Sequence, residues 1–187
     1  MGPGLFKKPP SHSRKQLEEW LGTLEISAEA VGDVGGKKLP VPSRVKSWQV
    51  KRFDILDLPE YDLNQPWKLP EIYDVVFCLE VFEYIYNPWQ AMKNLHLILK
   101  TGGILYASFH FIYPHHGPEG MDYLRYTQWG VDKLLEEAGF SSWTRLSRGF
   151  RRPWGITSVY LGENMKWLGK IDSPMHRDQG YLVKAIK

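Results

Sequence analysis

The stretch Tyr73-Asp-Val-Val-Phe-Cys-Leu79 contains a single charged residue, Asp74. So unbroken an apolar run needs cover on both faces, the environment of a central strand in a parallel sheet. A helix signal follows it. Asn87 can cap a helix, Pro88 suits its first turn, and Trp89, Met92, Leu95 and Leu99 mark one face. Lys100-Thr-Gly-Gly103 stops that helix, and Ile104–Phe109 reads as the next strand. Strands alternating with helices in this way predict a doubly wound parallel sheet.

Working outward, the same alternation continues. Upstream, Leu17, Trp20, Leu21 and Leu24 recur at helical spacing from Arg14 onward. A short strand, Ala30–Val34, runs into Gly35-Gly36, a second fits Gln49–Ile55, and a very short third fits Tyr61–Leu63. Downstream, a loop rich in His, Pro and Gly spans Phe111–Tyr126. Thr127 then caps a helix that buries Val131, Leu134, Leu135 and Ala138 and ends at Gly139. Ser142–Leu146 and Tyr181–Ile186 read as strands, with a helix around Asn164–Leu168. The expectation is one α/β domain over 14–187, a doubly wound, mostly parallel Rossmann-like sheet. Residues 1–13, with Gly2, Pro3, Gly4, Pro9 and Pro10, read as a flexible tail.

Bulk properties exclude several classes. The net charge of +3, without a dense basic block, gives no reason to expect a nucleic-acid partner. The only cysteine, Cys78, rules out an intramolecular disulfide and argues against a Cys-based zinc site. No apolar stretch approaches the roughly 20 residues of a membrane span, and no signal-peptide core is visible, so a cytoplasmic protein is expected. Aromatics reach 14%, with eight Trp and ten Tyr, which suits large apolar contacts or an aromatic-lined pocket.

In an open α/β sheet, ligands bind beyond the carboxyl ends of the strands, near the switch in strand order. Gly32-Asp-Val-Gly-Gly36 ends the first strand, where glycine permits a tight turn and close backbone approach. Asp54 ends the second and can accept hydrogen bonds from ribose hydroxyls. Asp62 ends the third, where it can accept from an adenine amine while Leu63 packs on the ring. Each also reads as something plainer: the glycines as a turn, Asp54, Asp57 and Asp62 as loop carboxylates. Their order along alternating strands favours the joint reading. Proton-transfer candidates follow the fourth and fifth strands: Tyr84, then His110, Tyr113, His115 and His116, with Asp122, Arg125 and Tyr126 beyond. His116 is the first choice, since histidine titrates near neutral pH. Arg125 can pair with an anionic acceptor or with Asp122. Adjacent histidines do not converge on one ion, so no metal site is expected.

The run from Tyr73 to Ile85 resembles the fourth-strand motif of class I S-adenosylmethionine-dependent methyltransferases, and Asn87–Gly103 resembles the helix and glycine turn that follow it. Tyr123-Leu-Arg-Tyr-Thr127 followed by Leu134-Leu-Glu-Glu-Ala-Gly-Phe140 extends the likeness, which spans about Ala30–Phe140 and is closest to the small-molecule branch. The resemblance implies seven strands with a C-terminal antiparallel hairpin, and S-adenosyl-L-methionine as cofactor. It implies that Asp33, Gly35 and Gly36 hold the methionine end, Asp54 the ribose, Asp62 and Leu63 the adenine. Cys78, Leu79 and Glu80 would line the sulfonium side. The implied partner is a small-molecule methyl acceptor, such as a sugar or glycolipid precursor, with a homodimer allowed. Three departures stand out. Lys37 takes the place of a further glycine, Lys38-Leu-Pro-Val-Pro42 interrupts the first helix, and Tyr84 stands where the pattern often has His.

The altered glycine loop motivates a second reading, a non-catalytic methyltransferase-like binding or assembly module. A nicotinamide oxidoreductase lacks its Gly-x-Gly-x-x-Gly fingerprint here. The Asn/Asp-Pro-Pro-aromatic run of amino-directed nucleic-acid methyltransferases is also absent; Leu79-Glu-Val-Phe82 stands in its place.

Overall fold

The computed structural model describes residues 11–115, 117–149 and 178–187. They form helices α1 (His12–Leu21), α2 (Pro88–Ile98) and α3 (Gln128–Ala138) around six strands: β1 (Glu25–Val34), β2 (Ser47–Leu56), β3 (Tyr73–Cys78), β4 (Leu99–His110), β5 (Ser142–Gly149) and β6 (Asp178–Ile186). The sheet order is β2-β1-β3-β4-β6-β5. Strands β1 to β4 run parallel, β6 is antiparallel to β4, and β5 is antiparallel to β6. Strand order therefore reverses between β1 and β3. The carboxyl ends of β1 to β4 share one edge of the sheet, the edge at which open α/β sheets bind ligands.

Strand β3 shows why the decisive stretch reads as it does. Successive side chains alternate faces. Val75 and Phe77 pack with Leu17 and Leu21 of α1, whereas Val76 and Cys78 pack with Met92 and Leu95 of α2 and Leu134 and Leu135 of α3. Both faces are dry, so both sets must be apolar. The helices start where side-chain caps allow. Ser11 accepts from Arg14 N–H, Asn87 from Gln90 N–H, and Thr127 from Gly130 N–H. Gly139, at φ +97°, ends α3 in the left-handed conformation.

Several expectations need correction. Helix α1 begins at His12 and Ser13 is buried, so the folded part starts before Arg14. Trp89 lies in the first turn of α2 and is 46% exposed, outside the core face. Six strands, not seven, are found among the described residues, because Tyr61–Leu63 forms no strand. Side chains satisfy that segment's backbone instead. Asp62 Oδ1 accepts from Asn64 N–H at 2.9 Å, a local turn that competes with a ladder. Asn94 on α2 donates to the carbonyls of Leu63 and Gln65 and accepts from Trp67 N–H. The β5–β6 pair supplies the antiparallel end of the sheet, though 150–177 between them lie outside the described residues, as does the helix expected at Asn164–Leu168.

Candidate active site

The first wall of this edge is the turn after β1. Gly35 has φ +76°, a conformation that glycine adopts without strain, and a Cβ there would stand 2.5 Å from Val81 Cγ2. A Cβ on Gly36 would fall 2.2 Å from the Asp33 carboxyl group. Asp33 thus sits beneath the turn, 2% exposed, and its Oδ2 accepts from Val41 N–H at 2.9 Å. Burial raises its pKa to about 6, and the nearby Asp57 charge adds to the rise; the Val41 hydrogen bond and Arg44 oppose it.

No α-helix follows this turn. Proline at 40 and 42 leaves two short 3₁₀ turns, Gly36–Lys38 and Val41–Ser43. The loop is tied down by Arg44, whose Nε and Nη2 each lie 3.0 Å from the Glu18 carboxylate on α1 and whose Nη1 reaches Leu39 O at 3.1 Å.

The second strand places a different carboxylate at the edge from the one expected. Register pairs Asp54 with Gly32, two residues short of the tip. Asp54 accepts from Tyr73 Oη at 2.9 Å and pairs with Arg52 at 2.7 Å. Asp57, one residue past β2, accepts from Lys37 N–H at 3.2 Å, and Gly35 N–H bonds Leu56 O beside it. Asp33, Gly35, Gly36 and Asp57 therefore converge. Asp62 and Leu63 do different work: Asp62 builds the turn just described, and Leu63 is buried in the core.

The opposite wall follows β3. Cys78 is fully buried, and burial pushes its thiol well above the ordinary range. Leu79 packs on the α1 face of the sheet. Glu80 has φ +58°, a rare conformation for a residue with a side chain. Its N–H donates to Ser108 Oγ at 2.7 Å, and its Oε1 accepts from Ser108 Oγ at 2.9 Å and Arg148 Nη1 at 2.6 Å. His110, 1% exposed at the end of β4, has Nε2 at 3.3 Å from Glu80 and 3.2 Å from the buried Glu83. Burial opposes ionisation of Glu80, but the His110 contact and the Arg148 charge outweigh it and hold the carboxyl well below its usual range.

The loop after β4 lies over this wall. Tyr123 N–H donates to Glu83 O and Tyr126 N–H to His110 O, both at 2.7 Å. Tyr113 stacks on His110, and Gly117 meets the Tyr84 ring. Burial, with the charges of Glu83 and Asp122, pushes the Tyr84 phenol up to about 12, so it stays protonated at neutral pH. Arg125 grips both oxygens of Asp122 and reaches the carbonyls of Tyr113, Pro114 and Leu124; its role in the described structure is to hold this loop. Asp122 also bonds His115 Nδ1 at 2.7 Å, while the His115 side chain is 74% exposed. His116 lies outside the described residues. Among those described, no cluster of His, Cys, Asp and Glu could hold a metal, and no helix is long and apolar enough to cross a membrane.

A sheet of this order, with a glycine turn at the first strand tip and a carboxylate at the second, has the Rossmann-like architecture of class I methyltransferases. The comparisons agree. Residues 41–107 match the methyltransferase-domain family. Similar in fold is a Thermotoga maritima S-adenosylmethionine-dependent methyltransferase, described as a possible histamine N-methyltransferase, with 16% identity and TM-score 0.58 over 94% of this chain and 90% of that one. Phosphoethanolamine N-methyltransferase 2 of Haemonchus contortus, solved with S-adenosylmethionine, shares 13% identity at TM-score 0.55 over 94% of this chain and 52% of its own. A Haloferax volcanii putative methyltransferase, solved with the Trm112 methyltransferase activator, gives 13% and 0.55 over 94% and 88%. No curated protein matches. Over residues 41–107 the chain is similar to the methyltransferase-domain family, and it shares the fold of these S-adenosylmethionine-dependent methyltransferases.

Two residues at this edge were not singled out from sequence. Asp57 was one of three loop carboxylates, and Arg148 carried no signal of its own.

Proposed function

We propose that the chain transfers a methyl group from S-adenosylmethionine to a small-molecule acceptor, such as a sugar or glycolipid precursor. The observation that carries this reading is the convergence of Asp33, Gly35, Gly36 and Asp57 at the switch point, within a methyltransferase fold. The residues suit the cofactor. Glycine at 35 and 36 lets the backbone turn tightly against Val81 and Asp33 at the strand tip, and Asp57 supplies an acceptor for ribose hydroxyls. Asp33 acts from below by fixing the turn, and Glu80 faces the side on which a sulfonium would lie.

When bound, the cofactor supplies an already activated methyl group, so the protein's main task is alignment. Good alignment lowers a barrier by roughly 7–11 kcal/mol. Tyr84 can donate a hydrogen bond but keeps its proton. The base for a hydroxyl acceptor is His115. Asp122 accepts a hydrogen bond from His115 Nδ1–H, which leaves the Nε2 lone pair for the acceptor's proton, and Arg125 holds Asp122 in place. A base of this kind contributes ~10²–10⁴-fold.

The test is transfer of radiolabelled methyl from S-adenosylmethionine into a small-molecule extract, compared with a protein fraction. Label in small molecules, reduced ~10²-fold or more in His115→Asn with cofactor affinity unchanged, supports the reading. Label in protein alone, or none at all, sinks it. The helix-less loop Gly36–Lys46 favours the second reading, a binding or assembly module. No detectable binding of S-adenosylmethionine at saturating cofactor in isothermal titration would select that reading.

A further inference from the structure

Arg148 has no part in the reaction as proposed, yet it is fully buried near the end of β5. It does not neighbour His110 in the sheet, since β6 lies between. In register, Arg148 pairs with Gly180, and Gly180 with His110. In-register side chains of adjacent strands stand on one face. Gly180 has none, so the guanidinium crosses the intervening strand. It reaches His110 Nδ1 at 2.9 Å and Glu80 Oε1 at 2.6 Å. A Cβ on Gly180 would lie 2.1 Å from Phe109 O, so the gap cannot be filled without moving backbone.

Chemistry fixes the rest. Arginine offers only donors, so His110 Nδ1 must be an acceptor. The ring proton then sits on Nε2, between Glu80 and Glu83. His110 so held has no basic nitrogen left for an acceptor. Glu80 is gripped by Arg148 and Ser108 together, with its backbone in the left-handed region at the tip of β3.

We propose that Arg148 is a positioning residue for a cofactor at the strand tips: across the gap at Gly180 it sets the His110 tautomer and clamps the Glu80 turn. This rests on the reading that the strand tips hold S-adenosylmethionine. The test uses the full chain with ¹⁵N-labelled histidine, His110→Gln to assign the signals, and titration with S-adenosylhomocysteine. In the wild type, His110 should carry its proton on Nε2 with Nδ1 bare. Arg148→Met should shift the Nδ1 signal and weaken S-adenosylhomocysteine binding about 10-fold or more, and Arg148→Lys should restore part of both. The wild-type tautomer and the lysine variant keep the test decisive if the methionine variant does not fold. Protonation on Nδ1 in the wild type overturns the assignment, whether or not the ligand binds. So does an Arg148→Met protein that binds as tightly as the wild type. A wild-type chain that takes up no S-adenosylhomocysteine removes the cofactor reading itself.

Discussion

The two walls at the strand-tip edge are built by opposite means. The β1–β2 wall is a loop held by backbone amides and one ion pair at its far side: Val41 N–H on Asp33, Lys37 N–H on Asp57, Arg44 on Glu18. The β3–β4 wall is a buried charge cluster that joins β3, β4 and β5 through Glu80, His110 and Arg148. The difference separates binding from folding. The first wall can change its ligand contacts with little cost to the sheet. The second cannot lose a member without leaving a buried charge.

The largest expected effect therefore lies in the second wall. Glu80→Ala strands Arg148 in the interior and should cost about 3–5 kcal/mol in urea unfolding. Glu80→Gly, which accepts the positive φ, should recover only a small part of that. Full recovery by glycine would mean that backbone strain, not charge, governs this wall.

Next comes a pH effect in the first wall. Asp33 is raised to about 6 in the folded chain, above the ordinary 3.8. Between those values the folded state binds more protons than the unfolded state. Stability should therefore fall as pH rises from about 4 to about 6 and level off above, by roughly 3 kcal/mol at 1.4 kcal/mol per unit. Denaturant midpoints across that range measure the slope, and Asp33→Asn should flatten it.

Asp57→Ala tests binding more narrowly. Loss of a charged hydrogen-bond acceptor, about 1.5–3 kcal/mol, should raise the dissociation constant for S-adenosylhomocysteine ~10–100-fold with little change in stability. Asp54→Ala should leave that constant nearly unchanged. The reverse ranking in calorimetry would return the ribose to Asp54.

The smallest effect is expected at the loop's outer tether. Arg44→Ala removes a partly exposed pair with Glu18, worth up to about 1 kcal/mol. Hydrogen exchange should quicken at Leu39 and Val41 without spreading to β3.

How much of this was legible follows from the range of the forces involved. Strand β3 and helices α2 and α3 were readable because both their periodicity and their caps are local: Asn87, Thr127 and Gly139 announce their own ends. The carboxylate at the tip of β2 was not. Its position depends on β2 running on to Leu56, opposite Val34, and registers are set between strands. The lost third strand was hidden for a related reason, since Asn94 on a distant helix satisfies the backbone of Leu63 and Gln65. Arg148 lies 38 residues from His110 and acts across a third strand. The one available signal was Gly180 inside a strand pattern, a mark of close approach by other groups.

The central claim is that the glycine turn over Asp33 is a cofactor seat. Isothermal titration of S-adenosylhomocysteine into the wild-type chain and Gly36→Ala tests it most directly, because a methyl group there would stand 2.2 Å from the Asp33 carboxyl. One ligand per chain is predicted for the wild type, with binding lost in the variant while the fold is retained. No heat from the wild type at millimolar ligand, or equal binding by both proteins, would contradict the account.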